Sequence, residues 1–170
     1  MPWGSAYAVN NLQVSNEALP ALFMVAGAST LIIMPLVGKL SDRYSKLNMF
    51  ALACIWMVIV VVIYTNIPVL PLWAIMIFNV LMMIGIMSRM VPSQALVSGL
   101  PEMKDRGAFM SINSSLQQIA GGVAATIGGM IIVQKTETSP IEHYNTVGYI
   151  VGTLSLISIF AVYRVNQVIN

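Results

Sequence analysis

Between Lys46 and Arg89 the chain runs for 42 residues without a formal charge. Three more uncharged runs, at 18–38, 107–134 and 144–163, measure 21, 28 and 20 residues. A helix needs about 20 apolar residues to cross roughly 30 Å of hydrocarbon, and a charge at the bilayer centre costs several kcal/mol. The longest run is therefore read as two spans, with Thr65-Asn66-Ile67-Pro68 and Pro71 supplying the turn between them. The expected architecture is all-α and polytopic. Five transmembrane helices near 18–38, 47–66, 71–91, 107–133 and 145–166 form one transmembrane domain over 1–170. Residues 2–16 are too short and too polar for a sixth span, and they lack the basic and apolar regions of a secretory leader.

The stretch Gly38-Lys39-Leu40-Ser41-Asp42-Arg43-Tyr44-Ser45-Lys46 carries four charges in a chain only 8% charged, so it is expected as a short loop at a membrane surface. If the chain weaves across five times, Lys39, Arg43, Lys46, Arg89, Lys104, Arg106 and Arg164 share one side. Lys135 falls on the other with Glu17, Glu137, Glu142 and His143. The positive-inside rule makes the first side cytoplasmic, with the N-terminus outside and the C-terminus inside. The small basic excess does not indicate nucleic-acid binding. An apolar helical pattern of this kind suits a bacterial inner membrane and not a barrel.

Individual spans differ in character. The second and fifth are mostly Leu, Ile, Val, Ala and Met, as expected of peripheral, lipid-facing helices. The third combines Asn79 and five methionines with Ser88-Arg89 just before Pro92. Pro92 cannot donate to the Ser88 carbonyl, so a kink is expected there. Arg89, 17 residues after Leu72 or about 26 Å along a helix, should lie near the interface and snorkel out. The fourth span carries Ser111, Asn113, Ser114, Ser115, Gln117 and Gln118. It also places small residues four apart at Gly121/Ala125/Gly129, a face on which helix backbones approach closely. Such a helix should be buried on most sides by protein or by a watery cavity.

Catalytic chemistry finds little support. The chain has one His and one Cys, with no HExxH or GxSxG, so neither a metal site nor a nucleophile–base pair assembles and no cofactor is expected. Cys54 reads as a small core residue and His143 as a solvated one. No carboxylate lies deep in any span. Asp42-Arg43 and Asp105-Arg106 are a weak internal echo of the kind that inverted repeats leave in transporters.

The Gly38-to-Lys46 stretch resembles the cytoplasmic loop signature of the major facilitator superfamily: a Gly, then Asp-Arg four and five later, then Gly and basic residues. Ser45 stands where the family usually has Gly, and Leu47 where a second basic residue is common. The passage from Pro101 through Arg106-Gly107 to Gln118 is similar to the tenth-to-eleventh helix region of drug- and sugar-efflux members. The resemblance implies that the five spans correspond to helices eight to twelve, with residues 2–16 the outer end of helix seven. The chain would then be the C-terminal part of a twelve-helix efflux permease, less the N-terminal bundle and most of helix seven. Its implied partners are the lipid bilayer, that N-terminal half, a small-molecule substrate and a coupling proton, whose ionisable group would lie outside these spans.

The same resemblance implies that Gly38, Asp42, Arg43 and Lys46 form a gating latch, the bland alternative being a solvated loop. Asn79, Arg89, Gln94 and Asn113 become candidates for lining a central cavity. Against these stand an interhelical hydrogen bond for Asn79 and snorkelling for Arg89. Ser111, Asn113, Ser114 and Gln118 fit packing against the absent half better than ligand binding. Gly121, Ala125 and Gly129 are the expected helix-packing face. A different class of function remains open at this level: a small non-transporting membrane subunit that docks to a partner through its Gly/Ala-rich helix.

Overall fold

The computed structural model describes residues 4–132 and 139–169. Its regular elements are six helices: α1 (Gly4–Asn10), α2 (Leu19–Arg43), α3 (Lys46–Asn66), α4 (Leu72–Ser98), α5 (Arg106–Ile131) and α6 (Tyr144–Ile169). With 21 to 27 residues each, α2 to α6 are about 32–40 Å long, enough to cross a bilayer. Four of them, α2, α3, α4 and α6, also have the sustained apolarity of a span. The amides and hydroxyls in the first half of α5 leave it outside that group.

The expected surface loop is instead helix almost to its end. α2 runs through Gly38 and Asp42 to Arg43, and only Tyr44 and Ser45 separate it from α3. Nothing in these residues breaks a helix, and the Tyr44 amide caps the last turn on the Leu40 carbonyl at 2.9 Å. α4 likewise carries Pro92 in its interior and continues to Ser98. Pro92 removes one backbone donor, but its ring is fully buried, and that burial offsets part of the loss.

α3 is the centre of the bundle. It packs along α4 on one side and α6 on the other, with α2 against the far side of α4 and α5 touching α6 only slightly. Phe50, Ala53, Cys54, Met57, Val60, Val61 and Tyr64 form its buried stripe at helical spacing. This overturns the peripheral reading of the second span. An all-apolar helix looks the same whether it faces lipid or protein, so composition could not separate the two. The fourth span is a different case: α5 has no buried residue against the described chain.

Three glycines explain why α3 can sit centrally. A Cβ at Gly148 of α6 would come within 2.7 and 2.8 Å of Thr65, and one at Gly152 within 3.6 Å of Val58. On α4, Gly85 faces Met57 and Trp56, and the Trp56 indole donates to the Leu81 carbonyl at 3.0 Å. Gly148 and Gly152, four residues apart, make the α3–α6 crossing a small-xxx-small contact of membrane helices.

One end of the bundle is closed by the N-terminal segment. The Tyr7 ring stacks on Tyr144 with centroids 4.0 Å apart and tilts against Tyr64 at 5.5 Å. Its hydroxyl donates to the Tyr64 carbonyl at 3.3 Å, and burial pushes the phenol above its usual range, so it stays a neutral donor. The Asn11 amide pairs both ways with Ile141, donating to its carbonyl at 3.0 Å and accepting from its N–H at 2.8 Å.

Candidate functional site

Arg89 lies 17 residues after the first residue of α4 and nine before its last, roughly 13 Å from that end. One guanidinium nitrogen donates to the Ser155 hydroxyl of α6 at 2.8 Å, and Ser155 is only 5% exposed. The Ser158 hydroxyl, one turn on, donates to the Ser155 carbonyl at 2.7 Å and lies 3.8 Å from the Cys54 sulfur. A polar thread therefore crosses from α4 through α6 to α3 inside an otherwise apolar bundle.

Arg89 borders a cleft of about 560 Å³ between α3, α4, α5 and α6. Phe50 and Met57 form apolar wall on α3, Gln94 lies on α4, and Asn113 and Gln117 come from α5. Gln94 and Asn113 are half-buried, and neither they nor Gln117 hydrogen-bonds another described residue. Guanidinium has five N–H donors and does not deprotonate in proteins. Among the described residues its hydrogen-bond partner is Ser155, and no carboxylate pairs with it. The site thus combines a permanent cation, three unengaged amides and an apolar wall.

Three of the four cavity candidates, Arg89, Gln94 and Asn113, share this cleft. Asn79 does not. It lines a separate cavity of about 130 Å³ with Tyr64 and Met82, and its amide donates to the Ile75 carbonyl of its own helix at 3.1 Å. Ser111, Ser114, Ser115 and Gln118 lie exposed on α5. Gly121 and Ala125 border an apolar groove of about 180 Å³ against Thr65 and Gly148. Gly129 is half-buried beside it, and nothing lies within 4 Å of a Cβ built at Gly121, Gly122 or Gly128.

On α2, Asp42 and Arg43 are exposed on the last turn, Lys46 is exposed at the start of α3, and a Cβ at Gly38 would meet open space. No described residue packs closely at Gly38. Asp42 lies at the negative end of the α2 dipole and four residues before Lys46 at the positive end of α3, whose N-cap Ser45 makes no side-chain cap. His143 is exposed and adopts φ 62° just before α6. Lys135 and Glu137, used in the charge-bias argument, lie outside the described residues.

Sequence reasoning missed Ser155 and Ser158, the Tyr7–Tyr64–Tyr144 cluster and the glycine crossings. A signal for one of them was present. Gly148, Gly152 and Ser155 fall at i, i+4 and i+7, a small-residue stripe that an apolar reading of α6 passed over. The tyrosines are far apart in sequence and offered no such pattern.

The family described as Major Facilitator Superfamily matches residues 1–168 of the chain. No curated protein and no solved structure matches it.

Proposed function

Because the chain belongs to the major facilitator superfamily, a family of integral membrane transporters, we propose that it carries out secondary active transport of a small molecule by alternating access. The reading is an efflux-type permease, of the drug or sugar kind, in which this chain forms the C-terminal half. The observation that carries it is the Arg89–Gln94–Asn113 cleft: a cation, and amides that hydrogen-bond no other described residue, lining one space between membrane-length helices. Hydrophobic burial alone would not gather them, since unengaged amides are costly in a dry bundle. The cleft is open on one side, and α5 is exposed along it, which fits a wall supplied by an N-terminal bundle.

On this reading Asp42 and Arg43 act as the latch at the cytoplasmic end, Ser111, Ser114 and Gln118 of α5 pack against the other half, and Gly121, Ala125 and Gly129 are a helix-packing face. Asn79 borders the pathway nearer the outer side. The N-terminus is outside and the C-terminus cytoplasmic, in a bacterial inner membrane. A coupling proton, if carried, is held by an ionisable group of the N-terminal half, because the described spans contain no deep carboxylate.

Proteoliposomes provide the test. The chain joined with an N-terminal half should move a dye or sugar from an efflux panel down an imposed proton gradient, and the 170-residue chain alone should move none. Transport by the chain alone would sink the two-half reading. A stable native complex with an unrelated membrane protein, with no transport by any assembly, would favour a docking subunit that uses exposed α5.

A further inference from the structure

We infer that the cleft beside Arg89 is an anion site, taking a small molecule that bears a carboxylate or phosphate-type group. This deepens the transport reading and rests on it. Arg89 sits roughly 13 Å from the end of α4 and is half-buried beside a cleft with an apolar wall. A partly dehydrated charge is stabilised by a counter-charge. Ser155 engages one of the guanidinium's five N–H donors and supplies no negative charge. No Asp or Glu lines the cleft.

The remaining donors are a planar fork suited to two oxygens of one anionic group. Gln94 and Asn113, with amide N–H₂ groups free of described partners, can add donors from either side, and Gln117 a third. Phe50 and Met57 offer an apolar wall for the rest of the molecule. About 560 Å³ is the volume of an ordinary small-molecule pocket. A cationic ligand would meet like charge at short range and low dielectric, where repulsion is least screened. The anionic group has two sources, a free solute or an anionic lipid headgroup reaching in from the open side, and both present the same oxygens.

The experiment is equilibrium binding to the complete protein in neutral detergent, using benzoate and inorganic phosphate as probes and benzamide as the uncharged match. In parallel, nanodiscs of phosphatidylcholine with or without phosphatidylglycerol are read by native mass spectrometry for retained lipid. Benzoate or phosphate binding, with benzamide silent, that weakens about tenfold or more in Arg89→Gln and recovers in part in Arg89→Lys, supports a solute site. Retention of phosphatidylglycerol that is lost in Arg89→Gln supports the same site with a lipid as its source. Ser155→Ala guards against a folding artefact. It keeps the cation and frees one donor, so anion binding should persist or tighten. The inference is overturned if wild type and Ser155→Ala retain neither anion, or if Arg89→Gln binds both as well as wild type does. Wild type that transports a neutral compound while binding no anion refutes this inference alone. Anion binding with no transport by any assembly refutes the transport reading alone.

Discussion

Two stripes of small residues, nearly alike in sequence, have opposite fates. On α6, Gly148 and Gly152 lie flush against Thr65 and Val58 of α3. On α5, Gly121 and Ala125 border a groove that α3 and α6 leave open. Small residues four apart permit close approach; they do not supply the surface that approaches. α6 finds in α3 a complementary helix whose Thr65 and Val58 fill the space the missing side chains leave. α5 finds none within the described chain, and its stripe remains a face without a seat.

Substitutions can break this contrast. The largest effect should come from Gly148→Val, which drives a branched side chain into Thr65, itself stiff at χ1. A loss of about 1–3 kcal/mol is expected in unfolding followed by tryptophan fluorescence, and an unchanged midpoint would mean that the α3–α6 crossing is looser than described. Next is Ser155→Ala, on the same stripe, which removes the hydroxyl that engages Arg89. The expected loss is about 0.6–1.7 kcal/mol in the same assay. Gly121→Ala should move the other way, because its Cβ meets nothing and alanine is the better helix former; a gain of about 0.5–1 kcal/mol is expected. If α5 seats against an N-terminal half, bulkier Gly121→Val should impair transport by the whole assembly while leaving the melting of this chain intact. The smallest change should come from Gly85→Ala. Its Cβ meets Sδ and Cγ of buried Met57 and comes within 3.0 Å of the Trp56 ring, so crowding should outweigh the gain in helix propensity by about 0.5 kcal/mol.

The two stripes also show which features were readable. The α5 stripe stood out because six polar residues flank it and draw attention to that helix. The functional stripe on α6 was hidden among apolar residues, so the helix was taken as lipid-facing throughout. α3 was misjudged for the same reason, since Leu, Ile and Val suit lipid and core equally when no water distinguishes them. Arg89 shows a related limit. Its place along α4 could be counted from Leu72, but the Ser155 hydroxyl that it turns to lies 66 residues away in sequence. Even so, of the four cavity candidates that the resemblance offered, Arg89, Gln94 and Asn113 line one cleft and Asn79 another. Polar side chains in membrane-length helices have few places to go.

What the sequence determined by itself was the class of molecule, helices of bilayer length, and the family they belong to. Those follow from the cost of charge in hydrocarbon and from backbone groups that must pair within their own segment, both local rules. The tertiary structure alone decided that α3 is central and α5 uncovered. It alone turned Arg89 to Ser155 and brought Tyr7 onto Tyr144 across more than a hundred residues. Those outcomes depend on which surfaces fit each other, and shape complementarity between distant segments leaves no periodic trace in either one.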